Sequence, residues 1–96
     1  MVDINQITDL LYNKLNLNIN YSELISESYL LTIDELDSQL LPTNFYDVMK
    51  HKSYRVIFFY YDDIIIYIFY NPDMTRKLLT GILKQERLVF SKYEKI

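Results

Sequence analysis

The residues that could do chemistry are few and badly placed for it. His51 is the only histidine and sits between Lys50 and Lys52. A general base needs a nucleophile and an orienting partner within hydrogen-bond reach, and the six serines have no motif around them. With no cysteine, thiol nucleophiles, disulfides and thiolate zinc sites are excluded. One histidine and no thiol leave no transition-metal ligand set. Asp34, Glu35 and Asp37 lack the spaced oxygens and the glycine of a calcium loop. They read more simply as a solvated first helical turn, held there by the positive end of the helix dipole. Gly81, the single glycine, cannot build a loop that cradles phosphate. No cofactor, no metal and no enzymatic activity are therefore expected.

The one motif with a catalytic look is Tyr60-Tyr61-Asp62-Asp63, flanked on both sides by apolar residues. It resembles the Y-x-D-D hairpin of reverse transcriptases, in which paired carboxylates hold metal ions. The resemblance spans four residues of 96. The two-metal reaction it implies needs a further aspartate on an adjoining strand, and no earlier segment supplies one. Asp62-Asp63 is read as a turn.

Charge is divided between the halves. Residues 1–49 carry eight acids against Lys14 alone, and residues 50–96 carry nine bases against five acids. The first half offers Glu23, Glu27, Asp34, Glu35 and Asp37 as an acidic partner-binding surface. The second offers Lys50, Lys52, Arg55, Arg76, Lys77, Lys84 and Arg87 as a basic one. Such asymmetry steers an oppositely charged partner. The plainer reading is that the halves fold together and neutralise each other. The overall pI of about 5.0 argues against a nucleic-acid module, whose domains are strongly basic.

The elements that position these groups follow from apolar spacing. Asp3 with Gln6 forms a capping box for a first helix, and Ile4, Ile7, Leu11 and Leu15 recur at helical intervals. Residues 15–21 alternate leucine, isoleucine or tyrosine with asparagine, which suggests an edge strand although asparagine favours turns. Thr32 with Glu35 is a second capping box, with Ile33, Leu36 and Leu40 behind it and Pro42 as the stop. Tyr29–Leu31 reads as a short strand or a helix tail. A brief helix is expected over residues 44–49. Asn71-Pro72-Asp73 followed by Met74, Leu78, Leu79, Ile82 and Leu83 predicts another helix, and residues 88–93 a last strand or its extension.

The centre is Tyr54–Tyr70, a hairpin with Asp62-Asp63 at its tip. That tip pairs Tyr61 with Ile64, Phe59 with Ile66 and Ile57 with Ile68 on a mainly aliphatic face. Val56, Phe58, Tyr60, Ile65, Tyr67 and Phe69 form the other face. A two-stranded hairpin is marginal alone, so both faces need cover. Helices suit the aliphatic face. The aromatic face is covered either by more of this chain or by another chain, which the ten tyrosines favour, with Phe58, Tyr60, Ile65, Tyr67 and Phe69 as the self-association surface of a homodimer if that chain is a second copy.

The expected fold is α+β, one domain over residues 1–96, with an antiparallel hairpin-centred sheet of two to four strands packed against helices. Residues 1–15 have no basic leader segment, and the apolar run at residues 56–70 is too short and too interrupted to span a bilayer. No membrane association and a cytoplasmic location are expected. Phe, Tyr, Met, Ile, Asn and Lys make up 44 of 96 residues, whereas Gly, Ala, Arg and Pro make up six. That usage points to an A+T-rich gene and suits a phage, virus or plasmid of an A+T-rich host. The functional expectation is a non-enzymatic protein–protein interaction module that inhibits or modulates a host protein, as an anti-CRISPR protein does. Its partner would be another protein, with a basic nucleic-acid-binding host protein as the specific suggestion. The alternatives are a toxin-neutralising immunity protein and a small nucleic-acid-binding regulator using the basic half.

Overall fold

The computed structural model of the chain describes residues 4–94. Helix α1 (Ile4–Leu15) is followed by β1 (Ile25–Thr32), the single-turn helix α2 (Phe45–Val48), β2 (Ser53–Tyr61), β3 (Ile64–Tyr70), β4 (Lys77–Lys84) and β5 (Arg87–Tyr93). Short 3-10 turns occupy Tyr21–Glu23, Ile33–Glu35 and Ser38–Leu40. The five strands form one antiparallel sheet in sequence order, β1-β2-β3-β4-β5. This corrects the expectation of two to four strands packed on helices: about 43% of the described chain is strand, and one long helix accompanies it.

The hairpin register is the one the aspartate tip requires, with Tyr61 opposite Ile64, Phe59 opposite Ile66 and Ile57 opposite Ile68. Asp62 takes a positive φ of 52° to make the turn, a conformation that aspartate tolerates better than most residues.

The largest departure is β4. Residues 71–76 form a loop closed on Asn71, whose N–H donates to the Arg76 carbonyl at 3.2 Å and whose Oδ1 accepts from the Arg76 N–H at 2.9 Å. Asp73 accepts from the Thr75 hydroxyl at 2.8 Å, and Met74 sits at φ 59°, which a helix cannot use. Leu78, Leu79, Ile82 and Leu83 are then buried on both faces of a strand with neighbours on each side. A strand buried on both faces reads as a continuous apolar run, which periodicity alone does not separate from a helix.

Two smaller departures have local causes. Asn16, at φ 55°, ends α1 in a left-handed residue. Leu17, Ile19 and Tyr21 then pack beside α1 without joining the sheet. The Thr32–Glu35 capping box does form: the Glu35 carboxylate accepts from the Thr32 N–H at 2.8 Å and from its hydroxyl at 3.0 Å. It caps only one 3-10 turn, because Leu36 is already extended (φ −87°, ψ 137°). The expected short helix near residue 45 is α2, and the last strand is β5. Asp3 lies outside the described residues.

Each face of the sheet has its own cover. Ile7 and Leu11 of α1, with Ile19, close the aliphatic face formed by Phe59, Ile64, Ile66, Ile68 and Ile82. The aromatic face holds Tyr54, Val56, Tyr67, Phe69, Leu79 and Leu83 and lies under a lid from residues 33–49, with Phe45 and Met49 buried and Leu36, Leu40 and Leu41 at its margin. Each large apolar side chain so buried is worth about 1.5–3 kcal/mol. Gly81 faces this layer opposite Tyr67, and a methyl group placed on it would fall inside the Tyr67 ring. The Tyr67 hydroxyl donates to the Leu40 carbonyl at 3.3 Å, tying the lid to the sheet.

Burial raises the Tyr67 phenol well above its ordinary value and also raises Tyr54, Tyr70 and Tyr93. A raised folded-state pKa favours the protonated phenol in the native state, so this stability is intact below the unfolded value of 10.0 and is lost as pH rises beyond it. Unfolding free energy should therefore begin to fall above about pH 10. Tyr67→Phe should flatten that decline, as read by denaturant titration at stepped alkaline pH. A Tyr67→Phe profile parallel to the parent's would contradict the assignment.

Candidate interaction surface

β1 is one of the two edge strands and the least buried: Ile25 is 68% exposed, Leu30 51% and Tyr29 41%. It pairs with β2 without interruption from Ile25 opposite Tyr60 to Thr32 opposite Ser53. Opposed residues share a face, so Ile25, Glu27, Tyr29 and Leu31 join Phe58 and Tyr60 on the aromatic side. There the Tyr29 ring meets Phe58 edge-on at 5.9 Å, and Phe58 stacks on Tyr60 at 6.1 Å. The Tyr29 hydroxyl donates to Glu27 at 2.8 Å, and this bond holds the Tyr29 phenol above its usual value. Burial, then Glu27, do the same for Tyr60. Beside this rim, Leu36, Leu40, Leu41, Phe58, Tyr67 and Leu83 line an apolar cleft of about 190 Å³ where the lid meets the sheet.

The five acids expected to face a partner all lie on or beside β1. Three of them also hold local structure. Glu23 accepts from the Asn20 N–H at 3.0 Å, Glu35 caps Thr32, and Asp37 accepts from the Gln39 N–H at 3.0 Å. The bonds from Thr32 hold the Glu35 carboxyl below its usual range. Glu27 belongs to the aromatic rim, and Asp34 is exposed. No lysine, arginine or histidine occurs in residues 15–49, so the segment carrying β1 supplies only acids; Arg55 of β2 stands opposite Leu30, and Lys50, His51 and Lys52 lie beside Thr32, Ile33 and Asp34.

The expected self-association face divides. Tyr67 and Phe69 are each 2% exposed beneath the lid and are closed to a second copy. Phe58, Tyr60 and Ile65 are half-buried and reach the open rim. The cover that the aromatic face needs comes mainly from this chain.

The seven basic residues do not form one surface. Lys50, Lys52, Arg55, Arg76 and Lys77 gather at the end of the sheet where β2 and β4 begin, and Arg55 and Lys77 both register with Tyr70. Lys77 pairs with Glu94 at 3.2 Å. Lys84 and Arg87 face each other at the opposite end, across the Gln85-Glu86 turn. His51 is exposed, its backbone N–H donating to the Tyr54 hydroxyl at 2.9 Å. Asp62 and Asp63 are exposed at a turn, where the Asp63 carbonyl accepts from the Gln85 N–H at 3.0 Å. Among the described residues no group of three or more acids, histidines or cysteines is arranged to hold a metal ion, and no helix is long and apolar enough to cross a membrane.

Ile25, Tyr29 and Leu30 are the surface residues that sequence reasoning missed. The signal was present: Ile25, Glu27, Tyr29 and Leu31 alternate with Ser26 and Ser28 at a period of two. Comparisons of the chain with protein-family models, curated proteins and solved structures gave no match.

Proposed function

We propose that the protein is a small non-enzymatic protein–protein interaction module that inhibits or modulates a host protein, encoded by a phage, virus or other mobile element and acting in the cytoplasm. The observation that carries this reading is the open aromatic rim of Tyr29, Phe58 and Tyr60, bordered by the acids Glu23, Glu27, Glu35 and Asp37. Tyrosine suits a surface that is wet when free and dry when bound, because its ring packs while its hydroxyl stays hydrogen-bonded. Acidic flanks select a basic partner and speed its approach. The mobile-element origin rests on the A+T-rich residue usage.

The test is capture of host proteins by the immobilised chain, compared with Tyr29→Ser and Tyr60→Ser variants shown to be folded. Loss of a central aromatic contact is worth about 2 kcal/mol or more, so the partner's affinity should fall roughly thirtyfold. Equal capture by parent and both variants would refute the rim as the site. A second reading, nucleic-acid binding, is favoured by the gathering of Lys50, Lys52, Arg55 and Arg76 at one end of the sheet. Binding to random duplex DNA that falls steeply with salt would support it.

A further inference from the structure

The two edges of the sheet are built differently. β5 carries Arg87 and Lys92, and its pairing with β4 is broken by a register shift after Ile82. Charges and bulges are how natural sheets keep an edge from pairing with another chain. β1 has eight residues in unbroken register, no lysine, no proline and no bulge. Its one charged residue, Glu27, is already bonded to Tyr29.

Which backbone groups β1 presents can be read from the alternation of an antiparallel ladder. The Ile33 N–H donates to the Lys52 carbonyl across to the β2 side. Every second residue back along β1 therefore also bonds β2, namely Leu31, Tyr29, Glu27 and Ile25. The intervening residues point their N–H and C=O groups away from the sheet. The ends of that outward row are occupied: the Leu24 N–H donates to the Tyr21 carbonyl at 3.0 Å, and the Thr32 N–H to Glu35 at 2.8 Å. Between them remain Ser26, Ser28 and Leu30, a set symmetric about Ser28.

We propose that β1 pairs edge to edge with β1 of a second copy, antiparallel, about a two-fold axis at Ser28. The pairing goes beyond the functional reading above and stands or falls independently of it. In this register Ser28 opposes Ser28 of the second copy and Ser26 opposes Leu30, exchanging about six backbone hydrogen bonds. It is the register that uses the whole open set. It places Glu27 opposite the tyrosine at 29 rather than against the other Glu27, where like charges would oppose each other. Ile25 meets Leu31 on the aromatic side, so the most exposed apolar residue of β1 gains a neighbour. The axis is perpendicular to the sheet, so the aromatic rims of the two copies join into one band on the same face.

The test uses the full chain. Sedimentation should show a dimer that dissociates on dilution. Ser28→Pro removes an outward N–H, which an edge strand tolerates, and the dimer dissociation constant should rise about thirtyfold or more through two lost bonds. The chain lacks cysteine, so single thiols report the register without perturbing it. Ser28→Cys should form a disulfide-linked dimer readily, its two Cα atoms lying about 5.5 Å apart. Ser26→Cys should not, because its thiols lie roughly 13 Å apart. A monomer at every concentration, or equal crosslinking at positions 26 and 28, overturns the proposal. Neither result bears on whether the rim captures a host protein.

Discussion

Replacing Gly81 with alanine should lower folding stability by about 3 kcal/mol, combining ~1–3 kcal/mol of overpacking with ~1 kcal/mol for a displaced hydrogen bond. Gly81 lies in the fourth strand directly across from Tyr67, and the new methyl group would occupy the space of the Tyr67 ring. The ring cannot simply swing aside. It is 2% exposed, its hydroxyl is bonded to Leu40 of the lid, and Phe69 packs against it edge-on at 5.4 Å. For a domain of this size the loss corresponds to a fall in Tm of roughly 10–20 °C. Tyr67→Leu in the Gly81→Ala background should recover part of it, because the smaller side chain vacates the contested space. Thermal unfolding of the two single variants and the double variant forms a cycle with a large coupling energy. Strictly additive effects would show that the glycine is not there to seat the tyrosine.

Phe45→Ala should cost about 3–5 kcal/mol, the usual range for removing a fully buried aromatic ring. Phe45 is 0% exposed and meets Tyr54 at 5.8 Å and Phe69 at 5.4 Å, both edge-on. It belongs to a four-residue helix, which is far too short to be stable on its own hydrogen bonds. The ring therefore anchors the lid, rather than the lid positioning the ring. Its loss should free residues 33–49 from the aromatic face, seen as binding of a hydrophobic-surface dye and as aggregation of the variant. The neighbouring Tyr46→Ala is the control. Tyr46 is 43% exposed, and its removal should cost under ~1 kcal/mol. Comparable losses for both variants would mean that the lid is not held through Phe45.

How much of this was legible in the sequence depends on the element. The central hairpin was fully legible, because two continuous apolar runs either side of a two-residue tip fix the register, and the register fixes which residues share a face. So was the need for two covers, since neither set of side chains could stay in water. The fourth strand was not. Leu78, Leu79, Ile82 and Leu83 fit a helical stripe, and Asn71-Pro72-Asp73 looks like a helix start. The strand won because β3 offered an unpaired edge and Met74 turned left-handed, facts that belong to tertiary structure. The lid had the opposite problem: Thr32 and Glu35 form the capping box as written, but Leu36 leaves the helix at once to reach the aromatic face. For the candidate site, the acids at 23–37 were visible from charge alone. The exposed edge that they border carries a period-two signal over residues 25–29, which the leucine pair at 30–31 blurs. Tyr67 and Phe69 looked like partner residues because nothing local reveals that residues 33–49 fold over them.

The meander has a bearing on the order in which the molecule assembles. Strands β2 to β5 are joined by short reversals and can zip from neighbour to neighbour, which is the fast kind of folding. β1 is different, because residues 33–52 separate it from β2, the strand it pairs with. Closing that long loop is an entropic step that the other strands do not face. The same loop contains the lid, so the arrival of β1 and the sealing of the aromatic layer are expected to be one event, following the meander. If the meander forms first, Tyr54, Tyr67 and Phe69 stay wet until β1 and the lid dock, and a newly made chain is then most in need of protection from its own kind.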